Sequence, residues 1–298
     1  MQNFITRPLG PFAKKISILC MTILLLGCSA ARLGYSNGEM ISYWWLDSYV
    51  DFDSEQKPWV KNRIDQVFAW HRKTQLKEYV RLISRTQHRD LGTVTQADLM
   101  GDYNDAKTRV LMIADRAVPE LADLALSLDA EQIANVEKKF SKSNDKFRKE
   151  YLSGDTESRQ EFRYKKALKQ AEYWFGNFSR EQQAKIRIAS DARPLNNDLL
   201  MIERVNRQQE LVALLKKIQT EKPGREATIT MLKKFVAATV DHFGNKQHQV
   251  FFDESTAATA GMVANIMHIA TPAQKTHFVQ ALQDWISDFN RLSTKAAA

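Results

Sequence analysis

The sequence predicts an all-α protein, a bundle or array of about eight or nine helices built from helical hairpins. A cleaved signal peptide and a short tether are expected to precede these helices. Glycine (11) and proline (7) are few in a chain of 298 residues, and no Asn-Gly or Asp-Gly pair lies between alternating apolar runs. Apolar residues instead recur every three or four positions, the spacing of one helix face. We therefore expect helices and no sheet.

The start of the chain has the features of a secretory signal. Arg7, Lys14 and Lys15 come first, no acidic residue appears before Glu39, and an uninterrupted, largely apolar run covers residues 16–26. A basic start followed by a short apolar run is typical of signal peptides. The run is also shorter than the roughly 20 residues that a membrane-spanning helix needs. We expect the segment to be removed after export.

The segment Leu25-Leu26-Gly27-Cys28 resembles the lipobox of bacterial lipoproteins. The resemblance implies cleavage before Cys28, diacylglycerol on its sulfur and a further acyl chain, such as palmitate, on its new amine. An ordinary secretion signal with a chance cysteine and an uncleaved anchor are the alternatives. Ser29 follows the cysteine, whereas lipoproteins retained at the inner membrane usually carry Asp there. The resemblance therefore implies lipid anchoring in the outer membrane, with the helical domain on the periplasmic face.

We divide the chain into a signal peptide (1–27), a lipidated tether (28–37), an N-terminal helical half (38–192) and a C-terminal helical half (193–298). The boundary at residue 192 follows from the breaker-rich run 192–198, and we expect the two halves to form one continuous domain. Turns are expected at 221–224 and 244–248. Apolar stripes at helical spacing predict the helices in chain order, at 43–52, 60–83, 99–128, 133–151, 164–178, 199–218, 229–243 and 278–289.

Five helix starts share one pattern, a capping side chain followed three residues later by Gln or Asp. In this pattern, the cap oxygen accepts a hydrogen bond from the backbone amide three residues on, and the later side chain bonds back to the cap amide. The five pairs are Asp53 and Gln56, Thr95 and Asp98, Asp129 and Gln132, Ser179 and Gln182, and Thr271 and Gln274.

The densest aromatic motif lies at residues 43–53 and supplies candidate binding or anchoring residues. On a helix, both its Trp45 side and its Tyr43 side are apolar, which favours a covered helix that anchors the core. Contact with the membrane interface and a groove for a ligand or partner are the alternatives. Asp47 and Asp51 lie one turn apart, as like charges that a cation or an amide would have to offset. The candidates here are Trp44, Trp45, Asp47, Tyr49 and Asp51.

Trp70 and His71 form a second candidate pair on the next predicted helix. His71 lies on the apolar stripe of that helix, which favours a hydrogen-bonded core histidine over a catalytic one. The six histidines never lie four residues apart from one another, so no histidine pair on one helix turn can bind a metal ion.

Several of these motifs together resemble proteobacterial lipoproteins that open with a lipobox, continue with a Trp-rich helix and begin later helices with LSxEQ. The matching segments are Arg32–Asn37, Trp44–Asp51, Trp70–Arg72 and Leu128–Gln132. The family is of unknown function, so the resemblance implies an all-helical lipoprotein without assigning an activity. The capping pattern is also similar to the Leu-Thr-x-x-Gln motif of Spy- and CpxP-type periplasmic chaperones.

The formal net charge is +8, and the surplus is concentrated between residues 138 and 169, with eleven Lys or Arg against five Asp or Glu. A basic face of this kind favours anionic surfaces such as lipid headgroups or acidic proteins, and a solvated helix face is the alternative. Lys165, Lys166 and Lys169 are the candidate contacts with an anionic envelope component or protein partner. Nucleic acid suits the charge but not the expected compartment.

The remaining sequence contains no motif that predicts catalysis. It lacks His-Glu-x-x-His, Gly-x-Ser-x-Gly and a phosphate-binding loop. Once the signal is removed, Cys28 is the one remaining cysteine, and the expected lipid would be attached to its sulfur. We expect no metal, no cofactor besides the covalent lipid and no small-molecule substrate. The expected function is a non-enzymatic, outer-membrane-anchored lipoprotein that binds an envelope partner or a lipid on a helical surface. A periplasmic chaperone or stress factor, a purely structural role and an envelope-polymer enzyme with a carboxylate pair are the alternatives.

Overall fold

In the computed structural model, which describes residues 34–294, every regular element is a helix. Helices account for 87% of the structure, so the all-α prediction is confirmed. The predicted signal peptide and Cys28 lie outside the described residues. No helix within residues 34–294 combines the length and apolar character that a membrane span requires.

Ten α-helices follow one another in the described part of the chain, against the eight or nine expected. A π-helical turn at Arg148–Leu152 continues the fourth, and a 3-10 turn at His242–Gly244 follows the eighth. The helices are α1 Gly38–Val50, α2 Gln56–Gln87, α3 Gln96–Ser127, α4 Ala130–Phe147, α5 Thr156–Phe175, α6 Arg180–Asp191, α7 Asn197–Glu221, α8 Arg225–Val240, α9 Lys246–Ile269 and α10 Pro272–Thr294.

Helix α9 is absent from the predicted stripes, and its composition explains why. Its buried positions include Ala260 and Ala264 beside Met262, Ile266 and Met267. Small residues on a packed face do not stand out from the alanine, threonine and glycine on the rest of the helix, so no apolar stripe appears in the sequence.

Two large hydrophobic clusters form the core, and the long helices α2 and α3 contribute to both. The first contains Phe52, Ile133 and Ile218, with residues from α1, α2, α3, α4 and α7. The second contains Phe175 and Ile186, with residues from α2, α3, α5, α6, α9 and α10. Each cluster draws on both sides of residue 192, as one continuous domain would; the predicted boundary itself stays a prediction.

All five predicted capping pairs are formed. The residue before each cap is buried, which fixes the direction in which the chain enters the helix. These buried residues are Phe52, Val94, Leu128, Phe178 and Ala270.

Four of the capping glutamines also bond to one another in two pairs. Gln132 Nε2 donates to Gln56 Oε1 at 2.6 Å and to the carbonyl of Asp51, while Gln56 Nε2 donates to the carbonyl of Ser127. Each glutamine side chain thus donates to the backbone carbonyl of the residue that lies two positions before the capping residue that pairs with the partner glutamine. The pair joins the starts of α2 and α4, two helices that lie far apart in the sequence.

The same arrangement recurs at the starts of α6 and α10. Gln182 Nε2 donates to Gln274 Oε1 at 2.8 Å and to the carbonyl of Ile269, and Gln274 Nε2 donates to the carbonyl of Asn177. These carbonyls also lie two residues before the partner's cap. One paired capping motif therefore borders each large hydrophobic cluster.

Candidate functional site: an apolar cavity with a cationic end

Helix α5 arranges two kinds of side chain along one face. Arg159, Arg163 and Lys166 lie at successive turns of its first half, and Gln170 and Trp174 continue the same face. Residues three or four positions apart on a helix are neighbours on its surface. The face therefore begins with three cations and ends with an aromatic ring.

This face borders a cavity of 640 Å³. The volume lies within the range of about 300–1,000 Å³ that is typical of small-molecule sites. The other walls come from α9, α10 and the segment between α6 and α7. Apolar side chains dominate the lining as a whole, among them Ala171 and Phe175 of α5, Leu200 at the start of α7, and Met262, Val263, Ile266, Met267, Phe278 and Leu282 of α9 and α10.

The cavity is elongated and differs between its two ends. Arg159 and Trp174 both line it and are fifteen residues apart on α5, which corresponds to roughly 22 Å along a helix. Tyr151, Arg193 and Asn197 lie at the Arg159 end. We call this the cationic end, and we call the opposite end, at Trp174, the apolar end, because no charged side chain of α5 lines the cavity beyond Lys166.

Two guanidinium groups at the cationic end have no bonded carboxylate. Arg163 donates to the backbone carbonyls of Pro194, at 2.7 Å, and of Arg193, at 3.1 Å. Arg193 donates to the carbonyl and the hydroxyl of Ser190. Asp191, whose negative charge acts on both groups, is bonded to Arg187 instead. The positive charge of Arg163 and Arg193 therefore faces the cavity without direct neutralisation.

Burial disfavours the charged form of both guanidinium groups, those of Arg163 and Arg193. Loss of water lowers the pKa of Arg193 to about 10, with a further contribution from the positive charge of Arg163. Burial likewise lowers the pKa of Arg163, and Asp191 partly offsets this. With a pKa of about 10, Arg193 remains protonated at neutral pH. An anion placed between the two groups would favour the charged form of each.

The other two cations at this end are already paired in part. Lys166 donates to Glu150 at 2.6 Å and to the Tyr151 hydroxyl at 2.8 Å. Arg159 donates to the carbonyl of Leu152 and lies 3.5 Å from Asp198. The buried Nε atoms of the arginines at positions 159 and 163 have no hydrogen-bond partner among the described residues. Each is a donor that an acceptor at this end would satisfy.

The structure brings one of the three predicted lysines to the cavity and leaves the other two outside. Lys166 lines the cavity. Lys165 pairs with Glu161 at 3.2 Å and is 71% exposed, and Lys169 is exposed. The three lysines therefore do not share one role at the cavity, because only Lys166 lines it.

The expectation that Trp45 anchors the core is wrong. Trp44 and Trp45 are 59% and 58% exposed, whereas Tyr43 and Val50 on the opposite side of α1 are buried. Tyr49 is partly buried against the first cluster. Both sides of this helix are apolar in sequence, but only one of them faces α2 and α4.

The two aspartates of the aromatic motif shape the end of α1. Asp47 Oδ1 accepts from the backbone amide of Phe52 at 3.0 Å, and Asp51 adopts a left-handed conformation with φ of 60°. The carbonyl of Asp51 accepts from Gln132. An amide thus offsets the charge of Asp47, and both aspartates hold the turn between α1 and α2.

His71 has the hydrogen-bonded setting that the sequence predicts. Its Nδ1 lies 2.7 Å from the Tyr35 hydroxyl and its Nε2 lies 3.0 Å from the Tyr79 hydroxyl. Trp70 is partly buried and packs edge-on against the imidazole. Neither residue reaches the cavity.

A second polar cluster lies around the buried carboxylate of Glu203. His248 Nδ1 bonds to Glu203 Oε1, and His242 Nδ1 lies 3.5 Å from Glu203 Oε2. The cluster joins α7 to the start of α9. Among residues 34–294, no three His, Asp or Glu side chains form a group that could hold a metal ion.

Three arginines that line the cavity were not predicted as site residues from the sequence. They are Arg159, Arg163 and Arg193. The first two belong to the basic run, whose charge alone does not indicate which of its residues line a cavity. Their spacing with Lys166, Gln170 and Trp174 was the available signal. Arg193 gave none, because it lies in a segment predicted as a linker.

The fold and the cavity define the class of this protein: an all-α protein with an apolar cavity that is cationic at one end. The chain belongs to DUF6279, a family of unknown function, whose model matches residues 48–235. The matched region contains α5 and Arg193, whereas α9 and α10 lie beyond it. No curated protein and no solved structure matches the chain.

Proposed function

We propose that this protein is a non-enzymatic lipoprotein of the outer membrane that binds an anionic amphiphile with a long hydrocarbon chain. The single observation that carries the proposal is the cavity, which is cationic at one end and apolar at the other. A ligand that matches it has a negative headgroup, a carboxylate or a phosphate, on an extended hydrocarbon chain.

The cationic end supports recognition of the headgroup. Arg163 and Arg193 keep their charge close to the cavity, and no carboxylate bonds to either of them. Guanidinium groups match carboxylate and phosphate oxygens well because they offer several donors in one plane. Burial strengthens such a contact, because less water competes for it.

The apolar end supports recognition of the chain. Each methylene group of a ligand that moves from water into such surroundings contributes about 0.8 kcal/mol to the free energy of binding. Met262 and Met267 line the cavity, and methionine side chains adapt to ligands of differing shape. The cavity therefore suits a range of chain lengths better than one exact chain.

The sequence supports the location. The lipobox-like segment ending at Cys28 directs the protein to the envelope, and Ser29 favours the outer membrane. Membrane lipids and their breakdown products supply anionic amphiphiles in that compartment. The helical domain, tethered on the periplasmic face, would bind its ligand within reach of the bilayer.

Calorimetric titration of residues 29–298 tests the proposal, since both hydrophobic clusters lie within 34–294. We expect saturable 1:1 binding of hexadecanoate and much weaker binding of uncharged hexadecanol. A hydrogen bond to a charged group contributes about 1.5–3 kcal/mol, so the difference should be roughly tenfold to a hundredfold. A lysophosphatidylglycerol titration separates a phosphate lipid from a free fatty acid as the ligand.

Two variants and a matched control locate the site. Arg163→Gln should weaken hexadecanoate binding by roughly tenfold or more, and Val263→Trp should block the apolar end. Lys165→Gln is the control, because it removes a positive charge from the same helix outside the cavity. Equal effects of Arg163→Gln and Lys165→Gln would show that only the overall charge matters, and the proposal would be wrong.

A further inference from the structure

Helix α1 exposes a continuous apolar surface that belongs to neither the core nor the cavity. Met40, Ile41, Trp44 and Trp45 are 43%, 50%, 59% and 58% exposed. At about 100° per residue, the four positions fall within roughly 140° of the helix circumference and therefore lie on one side of the helix. We call these four residues the aromatic face.

The aromatic face carries no ionised side chain. Ser48 extends it by one turn, and its hydroxyl is turned back to the carbonyl of Trp45 at 2.8 Å. The two acidic residues within α1 are held elsewhere: Glu39 pairs with Arg72 of α2, and Asp47 caps the amide of Phe52. Both acidic side chains of α1 are thus bonded to other groups of the protein, whereas the two tryptophans of this helix are exposed.

The rest of α1 is fixed to the domain, so the aromatic face has a defined orientation. Tyr43 and Val50 are buried on the opposite side. At its start, α1 lies so close to α2 that a Cβ atom on Gly38 would be 2.5 Å from Phe68 Cε1. The helix therefore presents its tryptophans on a rigid support.

A basic side chain lies beside the aromatic face. Lys139 is 5.3 Å from the ring centre of Tyr49, and that ring packs against Trp45 at 5.0 Å between ring centres. Tryptophan is enriched where protein meets the headgroup region of a bilayer, and lysine near it is attracted to anionic lipids. The chemistry of this surface matches a membrane interface.

The position of α1 in the chain identifies the occupant. Nine residues, 29–37, separate α1 from Cys28. Even fully extended, nine residues reach only about 30 Å, so a lipid on Cys28 would keep the start of α1 near the bilayer. We propose that the aromatic face inserts into the lipid leaflet that holds the Cys28 anchor and thereby fixes the orientation of the domain on the membrane. This inference rests on the proposed lipidation of Cys28 but not on ligand binding in the cavity.

Site-directed spin labelling of the lipidated protein tests the inference. Once Cys28 is acylated, the mature chain has no other thiol, so a cysteine introduced at Met40 is the single labelling site. The labelled protein is reconstituted in vesicles of phosphatidylethanolamine and phosphatidylglycerol. Ile188→Cys is the matched control, because Ile188 is 71% exposed on α6 and lies outside the aromatic face. Ile41→Cys gives a second probe of the same face.

We expect labels at positions 40 and 41 to be relaxed strongly by oxygen and weakly by a water-soluble nickel complex, whereas the label at 188 shows the reverse. Strong relaxation by nickel at 40 and 41 would place the face in water and overturn the inference. Protection from both agents would mean that a second copy or another segment of the chain covers the face, which also overturns it. Mass spectrometry of Cys28 separates these outcomes from a failure of the anchor, and hexadecanoate titration tests the cavity independently.

Discussion

His71 lies half-buried between two tyrosine hydroxyls, and its surroundings couple its protonation to the stability of the fold. Burial lowers its pKa below 6.5, and the charge of Arg72 lowers it further. The unfolded chain therefore binds the proton first as the pH falls. The stabilising effect is complete above pH 6.5 and is lost as the pH falls through the lower pKa of the folded state.

We expect the free energy of unfolding in urea to decrease between about pH 7 and 5, and His71→Gln to reduce that decrease. Glutamine can still bond to a tyrosine hydroxyl but does not titrate. If His71→Gln leaves the pH dependence of unfolding unchanged, the imidazole is not the group responsible.

The aromatic motif at 43–53 contains one buried ring, Phe52 in the turn after α1, and one exposed ring, Trp45 on α1, and the two give opposite expectations for substitution. Phe52→Ala, at a residue that is 2% exposed, should lower the free energy of unfolding by about 3–5 kcal/mol. Trp45→Ala should change it by about 0.5 kcal/mol or less, because most of the ring is already in water. Chemical denaturation of residues 29–298 measures both values, and similar costs for the two would contradict the observed packing of α1.

The paired capping motifs join helices through side-chain amides, and their loss should be costly. Gln132→Ala removes the partner of Gln56 and the bond to the carbonyl of Asp51. A polar group left without a partner in a partly buried setting costs about 1–3 kcal/mol. We expect a loss of that size for Gln132→Ala and for Gln274→Ala.

Gln66→Ala is the control, because Gln66 is an exposed glutamine of α2 that bonds only within its own helix. The substitution should change the free energy of unfolding by less than about 0.5 kcal/mol. If all three alanine variants are equally stable in urea denaturation, the glutamine pairs do not stabilise the fold.

The helix starts could be predicted from the sequence because a capping box is a local interaction within four residues. The pairing of Gln56 with Gln132 could not, because it depends on how distant helices pack. Helix α9 was missed for a different reason: Ala260 and Ala264 pack closely without forming an apolar stripe. Trp45 was misplaced because an apolar side of a helix does not reveal whether another element covers it.

Helices α2 and α3 extend through both large clusters and should make the molecule unfold as one unit. Val60 and Ile64 of α2 lie in or against the first cluster, and Ile83 packs against the second. We expect Ile218→Ala in the first cluster and Ile186→Ala in the second to lower the midpoint of the same single transition. Two separate transitions in calorimetry, each shifted by only one variant, would show that the clusters unfold independently.

The cavity depends on the whole molecule, and only part of it could be predicted. The basic run indicated an anionic partner and included Lys166, which lines the cavity. The walls on α9 and α10 come from residues about a hundred positions later in the chain. Local sequence contains no signal for such contacts, since neither helix alone differs from an ordinary core helix.

The most direct test of the central claim is the orientation of a bound chain. Hexadecanoate with bromine near its methyl end should quench the fluorescence of Trp174 at the apolar end of the cavity, because bromine quenches only at close range. The same acid with bromine beside the carboxylate should quench it far less. Replacing Trp174 and its neighbour Trp285 by phenylalanine should abolish the difference. Equal quenching by both acids, or a difference that persists in the doubly substituted protein, would contradict an anionic amphiphile bound with its headgroup at Arg163 and its chain at Trp174.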